Sequence, residues 1–235
     1  ELNKGTWTLG AFDLVGNALK VVKLPVSDST PEAAVDRLVG DFHEFIGKLD
    51  VPPIQLLGLG TPGLVDTERG VIVSAADLGW FNVEIGNMIH HAIGWPTVVL
   101  NRHRARGLSE SRNSMERNHT TMVYIGIGSG IAAGLFHKGQ LLSGALGGAG
   151  EVGHMTIEPD GPLCLCGNHG CLQLYSAEPA IEKEARRLVR LGEGQSLLFA
   201  PDSDIQLITA KEVCRAADQG DELAARVVTK AASYL

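Results

Sequence analysis

Three cysteines lie within eight consecutive positions of this chain, at Cys164, Cys166 and Cys171. The glycines between them permit the tight backbone turns that let a short loop close around a tetrahedral ion. With 235 residues and four cysteines, the chain can build a core without disulfides. The spacing therefore predicts a metal-binding loop, and three reduced cysteines without a metal are the alternative. Cys214, alone in a helical segment, is expected to be buried and inert.

Zinc favours sulfur-rich ligand sets completed by one imidazole, so the loop needs a fourth ligand. Two histidines are candidates, His154 upstream of the loop and His169 inside it, and spacing alone does not choose between them. Four protein ligands leave no open position for a reactive water. The zinc is therefore predicted to be structural.

The composition excludes two classes of partner. A net charge of −7 and a pI near 5.6 leave no basic face that would hold a nucleic-acid backbone through counterion release. No apolar run approaches the roughly 18 residues of a membrane span, and the N-terminus has no signal-peptide pattern. We expect a cytoplasmic protein that does not bind membranes.

The first hundred residues read as an α/β lobe. Alternating residues predict a hairpin from strands 5–14 and 18–25, joined by a turn at 15–17. Thr30 and Pro31 then predict the N-cap and first turn of a helix with apolar residues at helical spacing. A buried strand over 54–60 ends at Thr61-Pro62-Gly63, and the carboxyl ends of strands are where open α/β sheets bind ligands.

The remaining pattern continues the alternation of strands and helices. Strands are predicted over 71–74, 97–100, 122–127 and 131–137, and helices over 83–93, 104–115, 176–191, 209–219 and 222–235. This divides the chain into lobes 1–101 and 102–235. Because the pattern begins within a strand and ends within a helix, we expect an excerpt of a longer protein.

The motif Gly150-Glu151-Val152-Gly153-His154, followed by Gly161 and the cysteine loop, resembles the most specific signature of the ROK family of repressors, open reading frames and sugar kinases. Further matches cover residues 58–66, 77–80, 98–101 and 126–144. The resemblance implies an actin-like ATPase (ribonuclease H-like) fold, with two lobes around a cleft and its C-terminal part beyond residue 235. It also implies that His154 is the fourth zinc ligand.

The resemblance further implies a sugar-binding site. The matching positions are Gly63, Asp77, Asn101, Glu151, His154 and Gln173. Carboxylates and amides suit vicinal hydroxyls because each exchanges more than one hydrogen bond with them. Two simpler roles stay open: Asn101 would cap the helix that follows it, and Glu151 would be a loop carboxylate near the zinc.

One position departs from the kinases of the family. Their catalytic Asp corresponds to Arg102, which has five donors and no acceptor and therefore cannot take a proton from a sugar hydroxyl. Residues 1–6 lie where these kinases have a phosphate loop, and they lack its paired glycines. ATP is therefore not expected as a cofactor. Arg102 is either a contact for an acidic effector or a surface arginine at a helix start.

The resemblance implies the effector domain of a ROK-type transcriptional repressor that senses a sugar or sugar derivative. DNA would be bound only through a helix-turn-helix outside this chain, in a homodimer or homotetramer. The alternatives are an ATP-dependent sugar kinase and a degenerate domain that only dimerises.

Overall fold

The computed structural model describes residues 1–3, 5–26, 30–49, 56–115, 120–145, 147–193, 196, 198 and 204–235, with the side chains of 113–115 excepted. The strands are β1 Leu2–Asn3, β2 Thr6–Phe12, β3 Ala18–Pro25, β4 Leu57–Thr61, β5 Leu64–Asp66, β6 Val71–Ala75, β7 Trp80–Val83, β8 Thr97–Asn101, β9 Thr121–Ile127, β10 Ile131–His137 and β11 Gln140–Leu141. The helices are α1 Pro31–Gly47, α2 Ile85–Ile93, α3 Arg102–Met115, α4 Gln173–Ser176, α5 Glu178–Arg190, α6 Ala210–Asp218 and α7 Glu222–Ala232.

The contacts divide the chain into two compact units. The first unit contains residues 1–124 and 134–150, and the second contains 125–133 and 151–235. This grouping differs from the expected lobes 1–101 and 102–235, because α3 packs against β4 and β8. α3 therefore belongs to the same unit as β4 and β8.

The predicted hairpin is present in the first unit. β2 pairs antiparallel with β3 over its whole length, but it ends at Phe12 and does not reach residue 14. The cause is Asp13, whose Oδ1 accepts hydrogen bonds from the backbone N–H groups of Val15 at 3.0 Å and Asn17 at 2.8 Å. A side chain that bonds the backbone ahead of it favours a turn over a strand.

The helix after the hairpin begins as predicted. Thr30 caps α1 by accepting from the N–H of Ala33, with Pro31 in the first turn. The apolar face of α1, including Val35 and Leu38, is buried in the first unit's core beside Trp7 of β2. Helical spacing and the cap therefore identified both the start and the buried face of this helix.

β4 and β8 form a parallel pair in which Thr61 lies beside Asn101. Of the strand predicted over 54–60, residues 54 and 55 lie outside the described residues, and β4 extends one residue further, to Thr61. Both strands end at the same edge, so the Thr61–Gly63 segment and the start of α3 are neighbours. The loops predicted to bind a ligand follow these two strands.

Helices dominate the second unit. Its core packs α5, α6 and α7 together through Ala185, Val213 and Val227, among other residues. Thr209 and Glu212 form the predicted capping box of α6. The helix predicted over 176–191 corresponds to α5, which begins two residues later because Ala177 adopts an extended conformation after the short helix α4.

Cys214 is exposed on α6, so the expectation of a buried cysteine was wrong. Val213 and Ala216 face the core, and the position after Val213 is rotated by about 100° around the helix axis, away from the core. Among the described residues, no helix is long and apolar enough to cross a lipid bilayer.

Candidate functional site

The segment that leads to the cysteine loop is shaped by a close backbone approach. Residues 152–154 form a single 3-10 turn that presents His154. A Cβ at Gly153 would lie 2.1 Å from the carbonyl oxygen of Ile131, so a side chain at this position would displace the turn. The glycine therefore sets where His154 lies.

The cysteine loop is closed by its own backbone. Residues 156 and 171 form one antiparallel bridge, and residues 163 and 169 form another. The N–H of Cys164 donates to the carbonyl oxygen of Asn168 at 2.7 Å, and that of Gly167 donates to Cys164 at 2.9 Å. A Cβ at Gly170, whose φ is +59°, would lie 1.6 Å from the carbonyl oxygen of Glu158. These contacts bring the three thiols to one side.

The ligand atoms of His154, Cys164, Cys166 and Cys171 all lie within 4.8 Å of one another. The Sγ of Cys164 is 3.8 Å from the Nδ1 of His154, and the two other sulfurs are 3.6 Å apart. Atoms bound to one zinc at about 2.0–2.3 Å lie roughly 3.3–3.8 Å apart in tetrahedral geometry. The cluster is therefore compatible with zinc in both donor type and spacing.

His169, the second candidate for the fourth ligand, lies outside the cluster. The ring of His169 is exposed, and its Nδ1 lies 3.1 Å from the carbonyl oxygen of Gly161. His169 is not part of the His/Cys cluster. The geometry thus agrees with the choice of His154 that the family resemblance implied.

The protonation state of Cys171 depends on whether a cation is bound. Burial, followed by hydrogen bonds to the thiols of Cys166 and Cys164, raises the pKa of Cys171 to about 12. Cys171 therefore keeps its proton at neutral pH when no cation is bound, and its Sγ lies within hydrogen-bond distance, 3.5 Å, of the carbonyl oxygen of His154. A bound zinc would convert the thiols to thiolates and release protons.

Two predicted ligand contacts lie beside this cluster in the second unit. The backbone carbonyl of Glu151 accepts from the N–H of His154 at 3.1 Å, so the two residues belong to the same backbone turn. Gln173 opens α4, and its Nε2 lies 3.5 Å from the Sγ of Cys164. Glu151, His154 and Gln173 are therefore grouped around the cysteine loop.

In the first unit, Asn101 caps the start of α3, which is one of the two roles that the sequence allowed for it. Its Oδ1 accepts from the backbone N–H groups of His103 at 2.9 Å and Arg104 at 3.3 Å. Its Nδ2 donates to the carbonyl oxygen of Gly63 at 2.8 Å. The cap explains why α3 begins at Arg102, two residues earlier than predicted, and it ties Gly63 to the helix start.

Gly63 and Asp77 lie in loops of the same unit. Gly63 has a φ of +85°, and a Cβ there would approach the carbonyl oxygen of Ser74 to 2.1 Å. Asp77 lies in the 3-10 turn Ala76–Leu78 between β6 and β7, and it is exposed. Gly63 can therefore offer only backbone groups to a ligand, whereas Asp77 offers a carboxylate.

Arg102 is buried, with 8% of its surface exposed, so it is not a surface arginine. Its Nη1 donates to the Oδ1 of Asn3 beside it in the first unit. Its guanidinium therefore links the start of α3 to the end of β1.

Sequence reasoning missed two further buried groups on α3. Arg104 is only 1% exposed, and its Nη2 donates to the carbonyl oxygen of Ala149 at 2.7 Å. His103 is buried, and neither of its ring nitrogens has a hydrogen-bond partner within the described part of the chain. The available signal was the density of basic residues at 102–106, on a helix that follows a buried strand.

The comparisons with known proteins bear on this site. A xylose repressor from Bacillus subtilis is 31% identical over 173 residues, covering 73% of this chain and 45% of the repressor. A glucokinase from Thermotoga maritima is 30% identical over 229 residues, covering 95% of this chain and 70% of the glucokinase. The chain thus spans about half the length of the xylose repressors that it matches.

Solved structures match nearly the whole chain. A ROK family transcriptional regulator, a homologue of the E. coli MLC protein, superimposes with a TM-score of 0.85 at 29% identity, covering 99% of this chain and 58% of the regulator. A ROK family glucokinase from Streptomyces griseus, in complex with glucose and AMPPNP, gives 0.88 at 27% identity, covering 99% and 74%. The expected actin-like ATPase fold is confirmed. Since the profile of the ROK family also matches residues 5–235, the chain belongs to the ROK family.

Proposed function

We propose that this chain is the effector-binding part of a ROK-type transcriptional repressor, which senses a sugar or sugar derivative and does not phosphorylate it. The observation that carries the proposal is Arg102. It follows Asn101 at the carboxyl end of β8, where the kinases that the chain resembles have their catalytic Asp, and it is buried. A guanidinium has no acceptor for a hydroxyl proton.

The rate that an enzyme would lose without a general base supports a sensor over a kinase. General-base catalysis typically contributes about 10²- to 10⁴-fold in rate. The donor contact from Arg102 to Asn3 also directs a cation toward the segment that matches the kinases' phosphate loop. We propose that the hydrogen bond between Arg102 and Asn3 has a structural role at a position where the kinases have a catalytic residue.

His154 can serve the metal and the effector at once. Its Nδ1 faces the Sγ of Cys164, and a neutral imidazole that binds a metal through Nδ1 carries its proton on Nε2. That N–H would donate to a sugar hydroxyl, while Glu151 would accept from one. The zinc would then orient a ligand-binding ring without taking part in chemistry.

In the first unit, Asn101 has an indirect role. Both ends of its amide are committed, one to the α3 cap and the other to Gly63. We propose that it positions the Gly63 loop and the start of α3, and that Asp77 supplies the carboxylate of the first unit. A narrower form of this proposal is that the effector carries an acidic group and that Arg102 binds it.

The second candidate function is an ATP-dependent sugar kinase. The Thermotoga maritima glucokinase favours it, because the similarity covers 95% of this chain. DNA binding and assembly into a dimer or tetramer would belong to the whole repressor.

Two measurements on the full-length protein separate the candidates. Calorimetry with a panel of neutral sugars, sugar phosphates and uronic acids should find a ligand that changes the affinity for promoter DNA. A coupled assay of ADP release with the same panel should show no turnover. Sugar-dependent ADP release would overturn the proposal, and so would the absence of any ligand that alters DNA binding.

If Arg102 holds an acidic group, Arg102→Ala should lower affinity for the acidic ligands far more than for neutral sugars. An unchanged ligand preference would remove this narrower form and leave the sensor proposal in place.

A further inference from the structure

Among the three cysteines of the metal cluster, Cys166 alone is exposed, whereas Cys164 and Cys171 are buried. A small oxidant therefore reaches Cys166 first, because the oxidation of a cysteine depends on access to its sulfur and on its thiolate character. Zinc binds cysteines as thiolates, so the metal-loaded cluster has the reactive form of the sulfur. A structural metal site does not require this exposure, and it makes Cys166 a candidate for chemical modification.

Cys171 is the partner that the geometry offers to Cys166. The two Sγ atoms lie 3.6 Å apart, whereas a disulfide bond is about 2.05 Å long. Cys164 is less suitable, because it is only two positions from Cys166 and so small a ring distorts the disulfide. Cys166 and Cys171 therefore need to approach each other by roughly 1.5 Å to form a bond of normal length.

The approach can come from the side of Cys166. Cys171 is held by its antiparallel bridge to Thr156, and its Sγ lies 3.5 Å from the carbonyl oxygen of His154. Gly167, next to Cys166, has a φ of +93°, and a Cβ there would have no atom within 4 Å. This side of the loop borders open space. A rotation of the exposed Cys166 side chain, with a small adjustment at Gly167, would bring its sulfur to a fixed Cys171.

We propose that Cys166 and Cys171 are a site of reversible oxidation by hydroperoxides, and that the metal ion is released when their disulfide forms. Zinc in a structural site is held by four protein ligands. Disulfide formation removes two of them and leaves only His154 and Cys164. The proposal holds whether the protein senses or phosphorylates a sugar, because it concerns the thiols and the ion alone.

The reaction has two steps. The Cys166 thiolate attacks the outer oxygen of the hydroperoxide ROOH; an S–O bond forms, the O–O bond breaks, and the alkoxide leaves and takes a proton from water to become ROH. The Cys171 thiolate then attacks the sulfur of the resulting sulfenic acid; the S–S bond forms, and hydroxide leaves and is protonated to water. The two thiolates together lose two electrons, and the hydroperoxide gains them.

The test treats the zinc-loaded protein with hydrogen peroxide. Free zinc is followed with a chromophoric chelator, and the cysteines are mapped by mass spectrometry after digestion. Zinc release should proceed in step with a disulfide between Cys166 and Cys171, one ion for each disulfide, and the cross-linked peptide should be lighter by two hydrogen atoms. Dithiothreitol followed by zinc should restore the original protein.

Two variants serve as matched controls. Cys214→Ser removes an exposed cysteine outside the cluster and should release zinc as the unsubstituted protein does. Cys166→His removes the exposed thiol and keeps a donor that zinc accepts, so this variant should retain its zinc under the same treatment. Far-ultraviolet circular dichroism verifies that both variants are folded.

Retention of zinc at peroxide concentrations that oxidise Cys214 would overturn the proposal. Zinc release that accompanies a different disulfide, or a sulfinic acid on Cys166 without any disulfide, would overturn it as well. So would zinc loss from Cys166→His at the rate of the unsubstituted protein. If Cys166→His does not bind zinc, the disulfide map of the unsubstituted protein decides alone.

Discussion

Arg102 donates a hydrogen bond to Asn3, and the two residues are 99 positions apart in the chain. The contact connects the last residue of β1 with the first residue of α3. By the family resemblance, both positions fall in segments where the kinases of this family bind phosphate or activate the sugar. On that correspondence, a basic residue engaged in a structural contact stands where the kinases have an acidic one.

Replacing Arg102 with alanine should destabilise the protein. The change leaves the half-buried Asn3 amide without this donor and removes a buried side chain, which typically costs about 1–3 kcal/mol. Urea denaturation measures the free energy of unfolding. Arg106→Ala is the matched control: its side chain is half exposed and its ion pair with Glu1 should contribute no more than ~1 kcal/mol. Equal effects of the two substitutions would contradict the structural role of Arg102.

Stability should depend on pH through His103. Burial, then the charges of Arg102 and Arg106, lower the pKa of this histidine from 6.5 to about 4. Between those values the unfolded chain binds a proton that the folded chain rejects, so the free energy of unfolding falls as the pH falls. The full effect of His103 is about 3 kcal/mol.

The pH dependence is measured by urea denaturation at several pH values between 7 and 4. His103→Leu should remove much of the slope in this window, while His43→Leu, at an exposed position of α1, should leave it intact. A slope that persists in His103→Leu would show that other groups are responsible.

The metal centre should contribute to folding. Metal analysis of freshly purified, reduced protein should find one zinc per chain, and chelation should lower the Tm by about 5–10 °C. Cys171→Ala should lose the metal and show the same Tm with and without chelator. Cys214→Ala changes an exposed cysteine outside the cluster and should retain the zinc. A metal-free protein with full stability would be decisive against the site.

Asn101 allows its two hydrogen-bonding roles to be separated. Asn101→Ala removes the α3 cap and should cost about 1–2 kcal/mol. Asn101→Asp keeps an acceptor for His103 and Arg104 but places a carboxylate oxygen against the carbonyl of Gly63. Thr30→Ala, at the exposed cap of α1, provides the reference for a cap alone.

If Asn101 acts only as a cap, Asn101→Asp should be as stable as the unsubstituted protein in urea denaturation. We expect it to be less stable, because the contact with Gly63 becomes repulsive and Asn101 is buried.

The sequence predicted those elements that are stabilised by interactions between residues close together in the chain. The hairpin turn, the Thr30 cap and the capping box of α6 each depend on residues within a few positions of one another, and all three are present. The cysteine loop was also recognisable, because its spacing and glycines carry the geometry. The choice of His154 needed the resemblance, since only the folded chain shows that His169 lies outside the cluster.

Long-range contacts were not predictable from one sequence. Charged side chains are rarely buried unless paired, so nothing indicated that Arg104 would be enclosed and bonded to Ala149. The expected boundary at 101/102 failed to follow the contacts for a similar reason: packing of α3 on β4 and β8 is a tertiary property. The exposed position of Cys214 depends on which face of α6 is buried, and a shift of one residue along the helix changes that face.

The pairing of His154 with the cysteine loop has a consequence for proteolysis. A metal held by His154 and Cys164, ten positions apart, would act as a cross-link that closes the intervening chain into a small ring. Opening such a ring requires a coordinate bond to break, so fraying of residues 155–163 would be suppressed for as long as the ion stays bound. Protease sensitivity of this short stretch would then report the metal status of the protein, even inside a cell extract.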